Sequence, residues 1–275
     1  MSEKDFFNHQ ADLNRFRDDV VNQSRQKYSK IAEANLSEVE SIAGEALNLV
    51  AKFEEVAKNR FRNIYTDTDI VWVISAPGNY SQSGEFPLNK GEDRYQTDWS
   101  KEMYRHRLRV GCSLVYEITA RRLGKDIREV TKEDVKNHGP WLLYNPAPED
   151  KEQFETVLGQ ASVRIPPEKT FVYCYVKEDD GSESPMHNTS DQVRSLHFPE
   201  GVDPRRVLVV SHAPHLARIS YIMDKYLNPN ERVFQAFPIK TPKGGEEYKK
   251  MEIEAILRYH YDFGKAGNKP YPFEF

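Results

Sequence analysis

From Asp69 onward, short apolar runs alternate with stretches of helical periodicity, and that alternation constrains the fold more than any other feature. The runs are DIVWVIS (69–75), WLLYN (141–145), TFVYCYV (170–176), RVLVVS (206–211) and RVFQAF (232–237). Several are continuously apolar rather than alternating, as expected of strands buried on both faces of a parallel sheet. Helical patterns fall between and after them, at about 101–123, 149–161, 188–197, 214–227 and 246–262. Parallel strands need long crossovers, and these are right-handed. The order therefore predicts an α/β fold: a Rossmann-like open parallel sheet of about five strands with helices on both faces.

Ahead of this lies a segment with helical patterning only. Val39, Ile42, Ala43, Leu47, Val50 and Phe53 recur at intervals of three and four, after Ser37 and Glu40 at capping-box spacing. An earlier helix is expected around 13–34. The predicted organisation is an N-terminal helical segment over 1–65 and a Rossmann-like domain over 66–275. The helical segment either packs on that domain or supplies a hairpin for a homodimer.

Charge excludes some partners. Charged residues make up 30% of the chain and the net charge is −4, so no basic excess suits a nucleic-acid groove. The charged N-terminus MSEKDFFNHQ has no apolar core of a signal peptide, and no stretch has the ~18 apolar residues of a membrane span. Cys112 and Cys174 lie inside apolar patterns and read as reduced core thiols. The expectation is a cytoplasmic protein with neither a nucleic acid nor a membrane as partner.

In open α/β sheets, ligands bind beyond the carboxyl ends of the strands, where the strand order reverses. That rule selects Ser75, Gly78 and Asn79 after the first strand, and Asn145 after the second. It also selects Asn188 and Thr189 before the fourth strand, Ser211 and His212 at its end, and Lys243 in the glycine-containing KTPKGGEE (240–247). Pro214 suits the first turn of a helix, which places Ser211 or His212 at its cap and turns free N–H groups toward a phosphate or carboxylate. His215 and Arg218 are three apart and share one face of that helix, an acid–base group beside an anion clamp. His212-x-x-His215 has no third ligand nearby in sequence, so no metal is assigned. Neither G-x-S-x-G nor G-x-G-x-x-G occurs, which disfavours a nucleophile-elbow hydrolase and an ordinary dinucleotide fingerprint. The long connection at 76–100 reads as a flap over the site or as an Ω-like surface loop.

The order of these motifs resembles the YdcF/SanA/ElyC-like family. Val210, Ser211 and His212, then His215 and Arg218, match its strand-end triplet followed by spaced His and Arg. Glu183, then Asn188 and Thr189, then Asp191 and Gln192, echo its acidic and Asn-Thr positions. Arg107, Leu108 and Gly111 echo the start of one of its helices. The likeness covers roughly 69–262, and it resembles that of a divergent member: Ser75 and Ala76 stand where such proteins have glycines, and Tyr144, Asn145 and Pro146 where they have Ser-Gly-Gly. The resemblance implies a Rossmann-like sheet with a polar pocket for a nucleotide-like ligand such as S-adenosylmethionine. The expected function is an enzyme of small-molecule metabolism acting on such an anionic ligand. The alternative is a non-catalytic sensor that signals through the N-terminal helices.

Overall fold

All five apolar runs contribute strands in the computed structural model, which describes residues 3–59, 64–75, 98–160, 163, 165–178, 180–241 and 245–275. Three helices come first, α1 (Glu3–Lys27), α2 (Ser29–Glu33) and α3 (Leu36–Lys58). They are followed by β1 (Ile70–Val73), α4 (Asp98–Leu123), α5 (Lys132–His138), β2 (Trp141–Tyr144), α6 (Lys151–Leu158) and β3 (Thr170–Val172). A hairpin of β4 (Tyr175–Lys177) and β5 (Glu183–Pro185) leads to α7 (Thr189–Arg194). The chain ends with β6 (Arg206–His212), α8 (Ala213–Tyr226), β7 (Val233–Ile239) and α9 (Glu246–Tyr261).

The main sheet is parallel, in the order β3-β2-β1-β6-β7, a Rossmann-like layout. Ile70 pairs with Trp141 on one side and Val207 on the other, so β1 is the central strand and the order reverses beside it. Every β1 residue is fully buried, which is why its sequence is continuously apolar rather than alternating. Val71, Val73, Leu142, Tyr144, Leu208 and Val210 share one cluster with Leu108, Cys112, Val115 and Ile118 of α4 and Phe154 and Val157 of α6.

Gly111 sets how closely α4 approaches the sheet. A Cβ at this position would overlap Val73 Cγ2 and touch Leu142 Cδ1 at 3.4 Å. Alanine is the better helix former, yet here it must push α4 off β1. Gly111→Ala should therefore destabilise by about 1–3 kcal/mol, read from the urea midpoint, despite the gain in propensity. An unchanged midpoint would show that α4 has room to shift.

Packing groups the chain into two compact units that do not follow a single break near residue 65. One consists of Met1–Lys58, His212–Leu227 and Lys240–Pro272, and the other of Asn59–Ser211, Asn228–Ile239 and Phe273–Phe275. In the helical unit, α3 packs on α1, α8 and α9. Its apolar stripe, Val39, Ile42, Ala43, Ala46, Leu47, Val50, Phe53 and Ala57, is buried there. The face considered for a homodimer is thus covered by the chain's own helices. Carboxylates are met within this unit too. Glu254 accepts from Lys27 Nζ at 3.2 Å and from the Tyr28 hydroxyl at 2.5 Å, and Glu45 accepts from the Tyr221 hydroxyl at 3.0 Å.

Local readings needed three corrections. The cap of α3 is Asn35, not Ser37: its side chain accepts from Ser37 N at 3.0 Å and its carbonyl from Val39 N at 3.1 Å. An Asn at that point offers the same acceptor earlier, so the helix starts before the capping box. The run TFVYCYV is not one strand. It breaks after Val172, and Tyr175–Lys177 turns to pair antiparallel with Glu183–Pro185. The signal was Asp180-Gly181, a hairpin dipeptide, with Gly181 at φ +81°. Finally, α5 was unforeseen although Thr131 and Asp134 form a complete capping box, because Val135 is its one buried residue and leaves no periodic stripe. None of the described helices is long and apolar enough to cross a membrane.

Candidate functional site

Ser75, Asn145, Asn188, Thr189 and Ser211 all belong to the unit that holds the sheet. Ser75 lies two residues beyond β1, Asn145 directly follows β2, and Ser211 lies at the end of β6. The Ile74 N–H donates to the Val210 carbonyl at 3.2 Å, so β1 and β6 run side by side to the point where the strand order reverses.

The centre of this edge is a buried polar network whose hub is Asn145. The Trp72 indole N–H donates to Asn145 Oδ1 at 2.8 Å, and Asn145 Nδ2 donates to the Gln192 carbonyl at 2.7 Å and to the Tyr173 hydroxyl at 3.2 Å. Gln192 reciprocates, its Nε2 donating to the Asn145 carbonyl at 2.8 Å and to Ser75 Oγ. Five residues on four separate segments are thereby locked together, all buried. Gln192 is the link that the spacing rules did not put in the site. It lies on α7 rather than at a strand end, and no strand-end rule reaches it.

Asn188 and Thr189 serve the start of α7. Asn188 is its N-cap and accepts from Asp191 N at 3.1 Å, while Asp191 Oδ2 accepts from His187 N at 3.0 Å and from Asn188 Nδ2 at 2.9 Å. Asn188 therefore positions the helix that carries Gln192. Thr189 is buried in the first turn.

Beside the network lies a buried cation. Arg107 of α4, one turn before Gly111, is fully buried and donates through Nη1 to the Ile74 carbonyl at 3.1 Å, just beyond the end of β1. Close packing at Gly111 is what brings this arginine to the strand end. Tyr144, the last residue of β2, is stacked on Phe154 at 5.3 Å between ring centroids. Its hydroxyl is fully buried and has no hydrogen-bond partner among the described residues. Burial, and next the Asp150 carboxylate, push this phenol well above its ordinary range, against the opposing field of Arg107. It is a neutral donor.

His212, His215 and Arg218 belong to the helical unit. Pro214 sits in the first turn of α8, as its placement predicts, and His212 is the N-cap, without a side-chain capping bond. His215 is fully buried. Arg218 differs from the clamp expected of it. Its Nε meets Glu252 Oε2 of α9 at 2.9 Å with both side chains 1% exposed, and its guanidinium lies 5.7 Å from the Tyr259 ring. The shared helix face was read correctly, but a carboxylate 34 residues onward in sequence (252 − 218) already matches its charge. Gly78, Asn79 and Lys243, and residues 76–97 of the connection expected at 76–100, lie outside the described residues, while 98–100 begin α4.

No family model, curated protein or solved structure matches this chain.

Proposed function

We propose that the carboxyl edge of the sheet holds a small ligand through an anionic group, such as a nucleotide phosphate or the carboxylate of a nucleotide-like molecule such as S-adenosylmethionine, and that the protein is an enzyme of small-molecule metabolism acting on it. The observation that carries the reading is the Tyr144 hydroxyl, a fully buried donor without a partner among the described residues, in the field of Arg107. An unmet buried hydroxyl costs roughly 1–3 kcal/mol, and a ligand oxygen accepting its proton removes that cost. Arg218 is not part of this reading, since Glu252 matches its charge. The Ser75–Gln192–Asn145 network is the floor beneath. Membership of the YdcF/SanA/ElyC-like family belongs to the same proposal, supported by the strand order and by Arg107 and Gly111. A cytoplasmic setting is supported by two free, buried cysteines.

A non-catalytic sensor is the second reading, favoured by the packing of α8, which carries His215 and Arg218, on α3. Turnover of the bound ligand separates the two.

Tyr144→Phe tests the site. Removing an unmet hydroxyl should leave the melting temperature of the ligand-free protein equal or higher, while binding of the ligand found in a thermal-shift screen weakens five- to tenfold. The screen takes nucleotides, S-adenosylmethionine and sugar phosphates. A panel without a single stabilising compound, or a Tyr144→Phe protein that binds as tightly as the parent, would overturn the proposal.

A further inference from the structure

The opposite, amino edge of the same sheet carries a second feature, built from different residues. A cleft of about 420 Å³ opens there, lined by Asp69, Arg122, His138, Trp141, Lys169 and Asp203 among others. Asp69 immediately precedes β1, Trp141 begins β2, Lys169 immediately precedes β3 and Asp203 leads into β6.

Its charges are arranged unequally. The acids are engaged elsewhere: Asp69 Oδ2 accepts from the Arg205 and Arg206 N–H groups at 2.8 and 3.2 Å, and Asp203 is paired with Arg232 at 3.2 Å. The cations are held by carbonyls alone. Arg122 donates to the Thr66, Thr68 and His138 carbonyls, and Lys169 donates to the Gly139 carbonyl at 2.9 Å and faces the Trp141 ring at 5.7 Å. The two cations are thus fixed to consecutive carbonyls, His138 and Gly139. Among the described residues no carboxylate lies within ion-pair distance of either.

Donor capacity is left over. A guanidinium has five N–H donors and an ammonium three. Arg122 uses three of its five and Lys169 one of its three on these carbonyls, so two remain on each. Both side chains are half-buried. Two like charges partly withdrawn from water repel one another, and burial, with Arg122 as the next cause, lowers the proton affinity of Lys169.

We propose that this cleft binds a small oxyanion of phosphate type, held between the Lys169 ammonium and the Arg122 guanidinium. Asp69 and Asp67 act on Arg122 only from beyond ion-pair distance, and the anion takes the remaining donors of both cations in charge-assisted hydrogen bonds. The site is independent of the carboxyl-edge proposal and stands if that one falls.

The test is a titration of the full chain with inorganic phosphate at constant ionic strength, sodium chloride serving as the control. The expected result is a saturable rise in melting temperature with phosphate only, and shifts of the Gly139 and Lys169 amide resonances over the same concentration range. Lys169→Met should weaken the apparent affinity at least tenfold. Without phosphate it should melt at or above the parent temperature, because a repelled cation has been removed. Adenosine monophosphate distinguishes the source: binding tighter than phosphate points to a nucleotide, equal binding to the free anion. The proposal is overturned by a phosphate response no larger than that of chloride, or by amide shifts confined to other regions. It is equally overturned if Lys169→Met lowers the melting temperature to the same extent with and without phosphate, since Lys169 then only caps the Gly139 carbonyl. The amide shifts of the parent protein decide the matter even where the variant folds poorly.

Discussion

Arg218→Met should destabilise the protein by about 3–5 kcal/mol, a large part of the total stability of a typical domain. The guanidinium and the Glu252 carboxylate are each 1% exposed and meet at 2.9 Å, so removing the cation leaves a buried carboxylate without its charge partner. Loss of the contact to the Tyr259 ring adds to this. Replacing both partners, Arg218→Met with Glu252→Leu, should recover most of the loss, because two apolar side chains of similar volume carry no desolvation penalty. Urea denaturation of the parent, both single variants and the double variant gives the coupling energy directly. If Arg218→Met instead kept the parent midpoint and lost only ligand binding, the pair would not be structural and Arg218 would return as the anion clamp.

Asn145→Leu should have the next largest effect, roughly 2–5 kcal/mol. The change strands the Trp72 indole N–H and the Gln192 carbonyl, two buried groups that each cost roughly 1–3 kcal/mol when unpaired. Loss of the Asn145 Nδ2 bond to the Gln192 carbonyl should also raise hydrogen exchange in α7, although its N-cap Asn188 and the Gln192 bond to the main-chain carbonyl of residue 145 stay in place. Trp72→Phe in the Asn145→Leu background should cost less than in the parent, since the indole donor is then already unpaired. Strict additivity would mean that the two side chains do not communicate, and that the hub is elsewhere.

Much of the fold was legible before any coordinates. A β-branched apolar run such as RVLVVS can be buried only as a strand between two other strands, and a proline eight residues after Arg206 can open a helix but not continue the sheet. Local chemistry of this kind depends on neighbours in sequence, and it placed the five strands and the start of α8. Where two local signals competed, the reading failed. The apolar continuity of TFVYCYV outweighed the Asp180-Gly181 turn that bends the chain into the β4–β5 hairpin.

The candidate site was legible in location but not in partnership. The rule about strand ends selected Ser75, Asn145 and Ser211 correctly as edge residues, because position along a parallel strand follows from chain direction alone. Gln192 as the clasp, Arg107 as the buried cation and Glu252 as the partner of Arg218 were not readable, since each reaches its neighbour from another element, 117 residues away for Gln192 and Ser75 and 33 for Arg107 and Ile74. The sequence by itself determined which segments are strands and helices, which way they run and which residues stand at their ends, for these depend on periodicity and backbone chemistry. Only the tertiary structure decided which charges are matched and which donors stay unmet, because a hydrogen bond or ion pair depends on ångström-scale distances that packing sets, as Gly111 does by letting α4 lie against Val73.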